Sequence, residues 1–306
     1  MNALKALVPA LALLAVGGCV RSTSLSEITP EGTVKRSLSV TINDMSGGEE
    51  KAEDYLILAN PGQWKTSVNN KPGTIEYKAS RTMALGAQKA IEYRLTDGKK
   101  GKGKAKVEIH VHQVSEGVTE YTETWTWEGE GKGSLAGEVI ADLKPLMSKH
   151  LKPLGADDGQ VDSAAQAMAR EAVRTLMGPG EPLLMTIIGQ PEEGIRQFRR
   201  RLYLGMADYI SKSMPSVTEA KAKDTAKAWA LELQTLLEKK QEQSKTGGEP
   251  PTGGGQLVLA QSVVQGLGTV TDTNGIVDEV DGRVYWSMYL EACSNEPVVL
   301  RAVFKK

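Results

Sequence analysis

The sequence predicts an α+β protein, with antiparallel β-strands at both ends of the chain that follows its leader and a helical block between them. Three observations carry this. Val118 to Trp127 alternates strictly, Tyr121, Trp125 and Trp127 falling on one face and Thr122, Thr124 and Thr126 on the other, as a half-buried antiparallel strand does. Between Leu135 and Leu236 the apolar residues switch to steps of three and four, the period of a helix. From Leu257 onward, short apolar runs are separated by Asn274-Gly275 and Asp281-Gly282, dipeptides that favour tight turns.

The first segment is not part of the fold. Met1 to Lys5 carries one positive charge, Ala6 to Val16 is apolar apart from Pro9, and small residues follow. So short a run cannot cross a bilayer core, which needs ~20 apolar residues, and it reads as an export signal that is removed. Val16-Gly17-Gly18-Cys19 then resembles the lipobox of bacterial lipoproteins: an aliphatic residue, two small residues and a cysteine. The resemblance covers only the signal peptide. It implies a diacylglyceryl thioether on the Cys19 sulfur, cleavage before Cys19 by signal peptidase II, and acylation of the new amino terminus. Residues 1–18 are thus read as the signal peptide.

Residues 19–34 are read as a lipidated tether, because Val20 to Gly32 is polar, rich in Ser and Thr, and ends in Pro30-Glu31-Gly32. Residues 35–130 form an antiparallel β region. Val34, Leu38, Val40 and Ile42 mark a strand, Tyr55 to Ala59 a short run closed by Asn60-Pro61-Gly62, and Thr74 to Ala79 another. Ala90 to Leu95, Lys104 to Val114 and Val118 to Trp127 make three consecutive antiparallel strands. Residues 131–245 are helical: Leu135 to His150, with Pro145 inside, Val161 to Met177, and Glu192 to Ser213. Leu183 to Ile188 fits either helix or strand. The longest helix starts after Pro215, with Ser216 and Glu219 as a capping box and a stripe of Ala222, Ala226, Trp229, Leu233 and Leu236. Residues 246–255 are a Gly/Pro linker, and 256–306 are a C-terminal β meander in which Thr269 to Thr273 and Ile276 to Val280 form a hairpin around Asn274-Gly275.

Composition narrows the function. Lys and Arg number 37 against 38 Asp and Glu; loss of Lys5 with the signal leaves 36 against 38, a mature charge of −2. Such a balance does not suggest a nucleic-acid binder. Of the two cysteines, lipidation of Cys19 leaves Cys293 without an internal disulfide partner, and its strand-like neighbours place it in the core.

The chemical motifs are sparse. His110 and His112 share one strand face with Glu108 and are the candidate metal ligands; zinc needs three or four convergent ligands, so a solvated strand face is the preferred reading and no metal or other cofactor is assigned. Lys99, Lys100, Lys102 and Lys104 crowd one hairpin and are candidates for contact with an anionic surface. Gly98 to Lys104 has the spacing of a phosphate-binding loop, but Ala105 stands where Ser or Thr is needed and a strand follows instead of a helix. Arg196, Arg199, Arg200 and Arg201 form a second basic cluster that pairs with Glu192 and Glu193. Lys245-Thr246-Gly247 resembles an element of penicillin-binding enzymes, without their Ser-x-x-Lys motif, and no Gly-x-Ser-x-Gly elbow is present.

The expected function is therefore non-enzymatic: an envelope lipoprotein held in the bilayer by acylated Cys19, with a structural, assembly or interaction role toward another envelope protein. The alternative is a periplasmic lipoprotein that binds a small ligand or metal through the histidine strand. By resemblance to enterobacterial lipoproteins, in which Asp after the lipid cysteine retains the protein in the inner membrane, Val20 points to the outer membrane, facing the periplasm.

Overall fold

The computed structural model describes residues 20–43, 51, 54–71, 74–86, 90–96, 104–128, 135–180, 182–245, 258–293 and 296–306. Strands flank a central helical block, so the chain is α+β as its sequence predicts. It divides into two compact units: a β unit of 17–130, 178–181 and 254–306, and a helical unit of 131–177 and 182–253.

The β unit is a sandwich of two sheets. The seven-stranded sheet has the order β11 (Ile276–Val277), β12 (Val284–Tyr289), β9 (Val258–Gln265), β1 (Val20–Ile28), β2 (Thr33–Asn43), β5 (Thr74–Ala84), β4 (Lys65–Lys71). The six-stranded sheet has the order β10 (Thr269–Thr273), β13 (Val298–Lys305), β8 (Val118–Trp127), β7 (Lys104–Ser115), β6 (Ala90–Thr96), β3 (Leu56–Leu58). All pairs are antiparallel except β1 with β9. Side chains of alternate residues interdigitate between the sheets: Val34, Leu38, Val40 and Ile42 from β2, Val107, Ile109 and Val111 from β7, and Tyr121 and Trp125 from β8 are all buried.

Two expectations fail here. The segment expected to be a tether is β1, a central strand whose burial alternates along its length. Its inward residues include Ser22, Ser24 and Ser26, which look like linker composition; Ser24 is hydrogen-bonded to Ser262 of the neighbouring β9, and Ser26 to Arg36 and Tyr121. The expected hairpin at Asn274-Gly275 does not form either. There the chain crosses between sheets: β10 pairs with β13, while β11 pairs with β12. Asn274 is spent on that crossing, its Oδ1 accepting from Trp286 Nε1 at 3.0 Å and Arg301 N at 2.9 Å, its Nδ2 donating to Val299 O at 2.6 Å. Gly275 is required by space, since a Cβ would lie 2.6 Å from Trp286 and Val284 atoms.

The two β regions share both sheets. β9 lies beside β1 and β13 beside β8, so residues 35–130 and 256–306 belong to one unit. β4, Lys-Thr-Ser-Val-Asn-Asn-Lys, carries no alternation a sequence reading could use; as an edge strand, exposed over 65–70, it needs none.

The helical unit holds α1 (Leu135–Leu151), α2 (Asp158–Met177), α3 (Leu183–Gly189), α4 (Pro191–Ser213) and α5 (Glu219–Lys245). Pro145 sits inside α1, and the ambiguous run from Leu183 is helical. The cap of α5 is Thr218 rather than Ser216: Thr218 Oγ1 accepts from Lys221 N at 3.4 Å, whereas Val217 N is engaged by Met214 O in a turn. Met168, Ala169 and Val173 of α2, Phe198, Leu202, Met206 and Ile210 of α4, and Ala222, Ala226, Trp229 and Leu233 of α5 are buried.

Candidate functional site

The most distinctive chemistry lies between the sheets. Arg36 occupies an inward position of β2, between Val34 and Leu38, and its side chain is wholly buried. Its Nε meets Glu92 Oε2 at 3.2 Å and its Nη2 meets Glu123 Oε2 at 3.3 Å. Both carboxylates are buried. Nη1 donates to Ser26 Oγ at 2.7 Å and Tyr121 OH at 3.3 Å. Tyr121 OH donates to Glu123 Oε2 at 2.5 Å, and Ser262 Oγ donates to Glu123 Oε1 at 3.0 Å. Ser24 Oγ in turn donates to Ser262 Oγ at 3.0 Å. Tyr93 OH lies 3.5 Å from Arg36 Nη2 and 3.4 Å from Glu123 Oε1. Arg81 of β5 completes the set with a close ion pair to Glu92; its guanidinium stacks over Trp64, 4.7 Å from the ring centroid.

Two arginines thus face two glutamates, and the cluster is formally neutral. Burial pushes the phenols of Tyr93 and Tyr121 well above the ordinary tyrosine range, Glu123 reinforcing the shift and Arg36 opposing it. Burial disfavours the charge on Arg36, but Tyr121, Glu123, Tyr93 and Glu92 outweigh it and hold the guanidinium protonated. The three guanidinium nitrogens of Arg36 and the four oxygens of the two carboxylates are all engaged, whereas Arg81 Nε is buried without a hydrogen-bond partner among the described residues. The network positions the sheets by directional bonds, since a shift of either sheet strips partners from a buried charge.

A signal for this cluster was present. Glu123 lies at the same parity as Tyr121 and Trp125, and Arg36 at the same parity as Val34 and Leu38. A charge on an otherwise apolar strand face, met in two strands with opposite signs, marks an internal pair.

The predicted site residues fall elsewhere. His110 and His112 are half-buried on the outer face of β7, stacked with ring centroids 4.4 Å apart. His112 Nε2 lies 3.5 Å from Glu120 Oε2, and Glu120 is bridged through Arg301 to Asp272. His150 belongs to the helical unit, where its Nε2 lies 2.9 Å from Glu232 Oε2. Among the described residues no group of three or more His, Cys, Asp or Glu is placed to hold a metal. Lys104 opens β7 opposite Thr96; Lys99, Lys100 and Lys102 lie outside the described residues, as does Cys19. Cys293 is buried, its Sγ 3.0 Å from Leu290 O. On α4, Arg196 pairs with Glu193 and Arg199 reaches Gln234 of α5, while Arg200 and Arg201 are exposed. Among the described residues no helix is long and apolar enough to cross a membrane.

No known protein family matches the chain, and no curated protein matches it. Among solved structures, the NMR structure of the folded domain of Mycobacterium tuberculosis LppM is similar over 94% of this chain and 89% of that one, at 7% identity and a TM-score of 0.32. A likeness of that size carries no argument about function.

Proposed function

We propose that this chain is a lipid-anchored protein of the bacterial envelope with a non-catalytic structural, assembly or interaction role. The observation that carries the reading is Val16-Gly17-Gly18-Cys19 at the end of a short apolar leader, followed by the strand β1, Val20–Ile28. Two acyl chains already anchor a protein stably, each buried methylene contributing ~0.8 kcal/mol. The Arg36 network supports a non-catalytic role, because Arg36, Glu92 and Glu123 are engaged with one another in the interior of the sandwich. Val20 in place of Asp after the lipid cysteine supports the outer membrane, facing the periplasm. Lys99, Lys100, Lys102 and Lys104 are then candidates for contact with anionic headgroups, and an envelope protein is the expected partner.

The test is Cys19→Ser in a lipoprotein-competent host. Fatty-acid labelling disappears and the protein either moves to the soluble fraction or keeps its leader. Wild-type protein without labelled lipid overturns the reading.

A further inference from the structure

We infer that an arginine face shared by α2 and α4 docks on the phosphate groups of an anionic phospholipid bilayer. The choice of a bilayer as the surface rests on the lipid anchor proposed above.

Positive charge in the helical unit is sorted by type. α1 and α5 carry lysines and no arginine. α2 has no lysine, and α4 has one, Lys212, which pairs with Asp208. Six of the chain's twelve arginines fall on these two helices: Arg170 and Arg174 on α2, and Arg196, Arg199, Arg200 and Arg201 on α4. Lysine and arginine have similar helix propensity, so a helix that needs only a charged outer face does not distinguish them. Arginine differs in its planar fork, which takes two oxygens of one phosphate at once.

Packing gathers these side chains on one surface. α2 and α4 run antiparallel: Tyr209 OH donates to Gln160 O at 3.0 Å, and Gln160 Nε2 donates to Ser213 O at 3.3 Å. Further along the pair, a Cβ on Gly205 would lie 3.4 Å from Met168 and 3.5 Å from Glu171. Arg201 is one turn before Gly205 and Arg174 one turn after Glu171, so the two stand at the same level of the helix pair. Arg170, Arg174, Arg196, Arg200 and Arg201 are exposed, while Arg199 turns to Gln234 of α5.

The nearby acids do not neutralise this face. Glu193 is taken by Arg196, and Glu171 accepts from Thr175 Oγ1 at 3.3 Å. Among the described residues Arg170, Arg174, Arg200 and Arg201 have no ion pair. Like charges four apart on a helix repel, and Arg170 with Arg174, and Arg196 with Arg200, are such pairs. This is a local excess in a chain whose net charge is −1. An anionic surface removes the repulsion. Leu204, one turn after Arg200 and Arg201, is 54% exposed. A leucine beside arginines suits a helix pair lying at the headgroup boundary. The anchor keeps the chain beside a bilayer at high effective concentration, so contacts that are weak one by one hold together.

The experiment uses the full, lipidated chain in vesicles of phosphatidylethanolamine and phosphatidylglycerol doped with a nickel-chelating lipid. A spin label is placed at Leu204→Cys, within the face, or at Ala228→Cys on α5. Ala228 is exposed and lies two positions from Ala230, which lines a crevice with Ile195 and Phe198 of α4, so it points away from α4. The nickel headgroups should relax the label at 204 severalfold more strongly than the label at 228. The two values should come together in phosphatidylcholine vesicles with the same dopant. They should also converge when Arg170→Gln, Arg174→Gln, Arg200→Gln and Arg201→Gln are combined. Salt at about 1 M, where the Debye length is about 3 Å, should do the same to the chain with its arginines intact, whether or not the fourfold variant folds. Equal relaxation at 204 and 228 in phosphatidylglycerol vesicles, or a contrast that survives both salt and phosphatidylcholine, overturns the proposal. A label at 204 that responds to soluble polyglutamate and not to phosphatidylglycerol assigns the face to an acidic protein and also overturns it. Equal values on a chain that carries the lipid mass on Cys19 leave the anchor standing. Absence of that mass overturns the anchor, and the contrast between the two labels still decides the face.

Discussion

At the scale of single residues, Arg36 organises the interior. It pairs with both Glu92 and Glu123, and it reaches both tyrosines. Burying an ion pair brings little net stability, because desolvation cancels much of the attraction; removing one partner is costly, because the other charge is left in the core. Arg36→Met keeps much of the volume and strips both glutamates of their shared cation. It should cost about 3–5 kcal/mol in urea unfolding of the chain from Val20 onward. A cost under about 1 kcal/mol would show that the cluster is solvated and exchangeable rather than a fixed part of the sandwich.

At the scale of elements, α5 shows how an amphipathic stripe becomes a buried helix face. Ala222 and Ala226 let a neighbouring helix approach, and Trp229 fills the space, fully buried. Leu236 at the end of the stripe is 36% exposed, so the burial fades toward the C-terminal turns. Trp229→Ala should cost ~3–5 kcal/mol. The indole nitrogen is buried without a hydrogen-bond partner among the described residues, so Trp229→Phe should cost much less than Trp229→Ala; equal losses would mean that the N–H is engaged after all. The polar flank of α5 carries a weaker device. Glu232 accepts from Lys149 at 2.6 Å and lies against His150 on α1. The hydrogen bond from Lys149, with His150 adding to it, holds the Glu232 carboxyl below its ordinary range. A depressed carboxyl pKa contributes stability above the unfolded value, about 4.3, and loses it as pH falls through the folded value. Glu232→Gln should therefore lower the melting temperature slightly at neutral pH, by about 1 kcal/mol or less in stability, and the difference from wild type should vanish in acid. A difference that persists below that range would assign the effect to packing.

At the scale of the whole molecule, the C-terminal strands complete both sheets. β9 covers β1 and β13 covers β8, so neither sheet is finished until the last strand is in place. Truncation before Val258 should leave the N-terminal β region unable to fold alone, seen as loss of dispersed amide resonances or as aggregation through the uncovered strands. A folded, monomeric truncation product would show that residues 20–128 are an autonomous domain.

Local periodicity was enough to place most elements and the fold class. The alternation of β7 and β8, the helical stripes of α1, α2, α4 and α5, and the burial of Trp229 could each be read from the sequence, because each depends on which residues of one segment face the same way; Cys293 is buried as expected, but in the 3-10 turn Leu290–Cys293 rather than in a strand. Three features depended on partners remote in the chain. Ser24 and Ser26 read as linker in isolation and as core strand beside Ser262, Arg36 and Tyr121, since a buried hydroxyl is acceptable only where something answers its hydrogen bond. Asn274-Gly275 favours a hairpin locally, but the demands of Trp286, Val299 and Arg301 turn it into a crossing between sheets. Arg36 and Glu123 were visible as charges of wrong parity, yet only the packing of one sheet on the other could bring them within 3.3 Å. Local sequence sets the direction in which each side chain points; what it points at is decided by the sandwich.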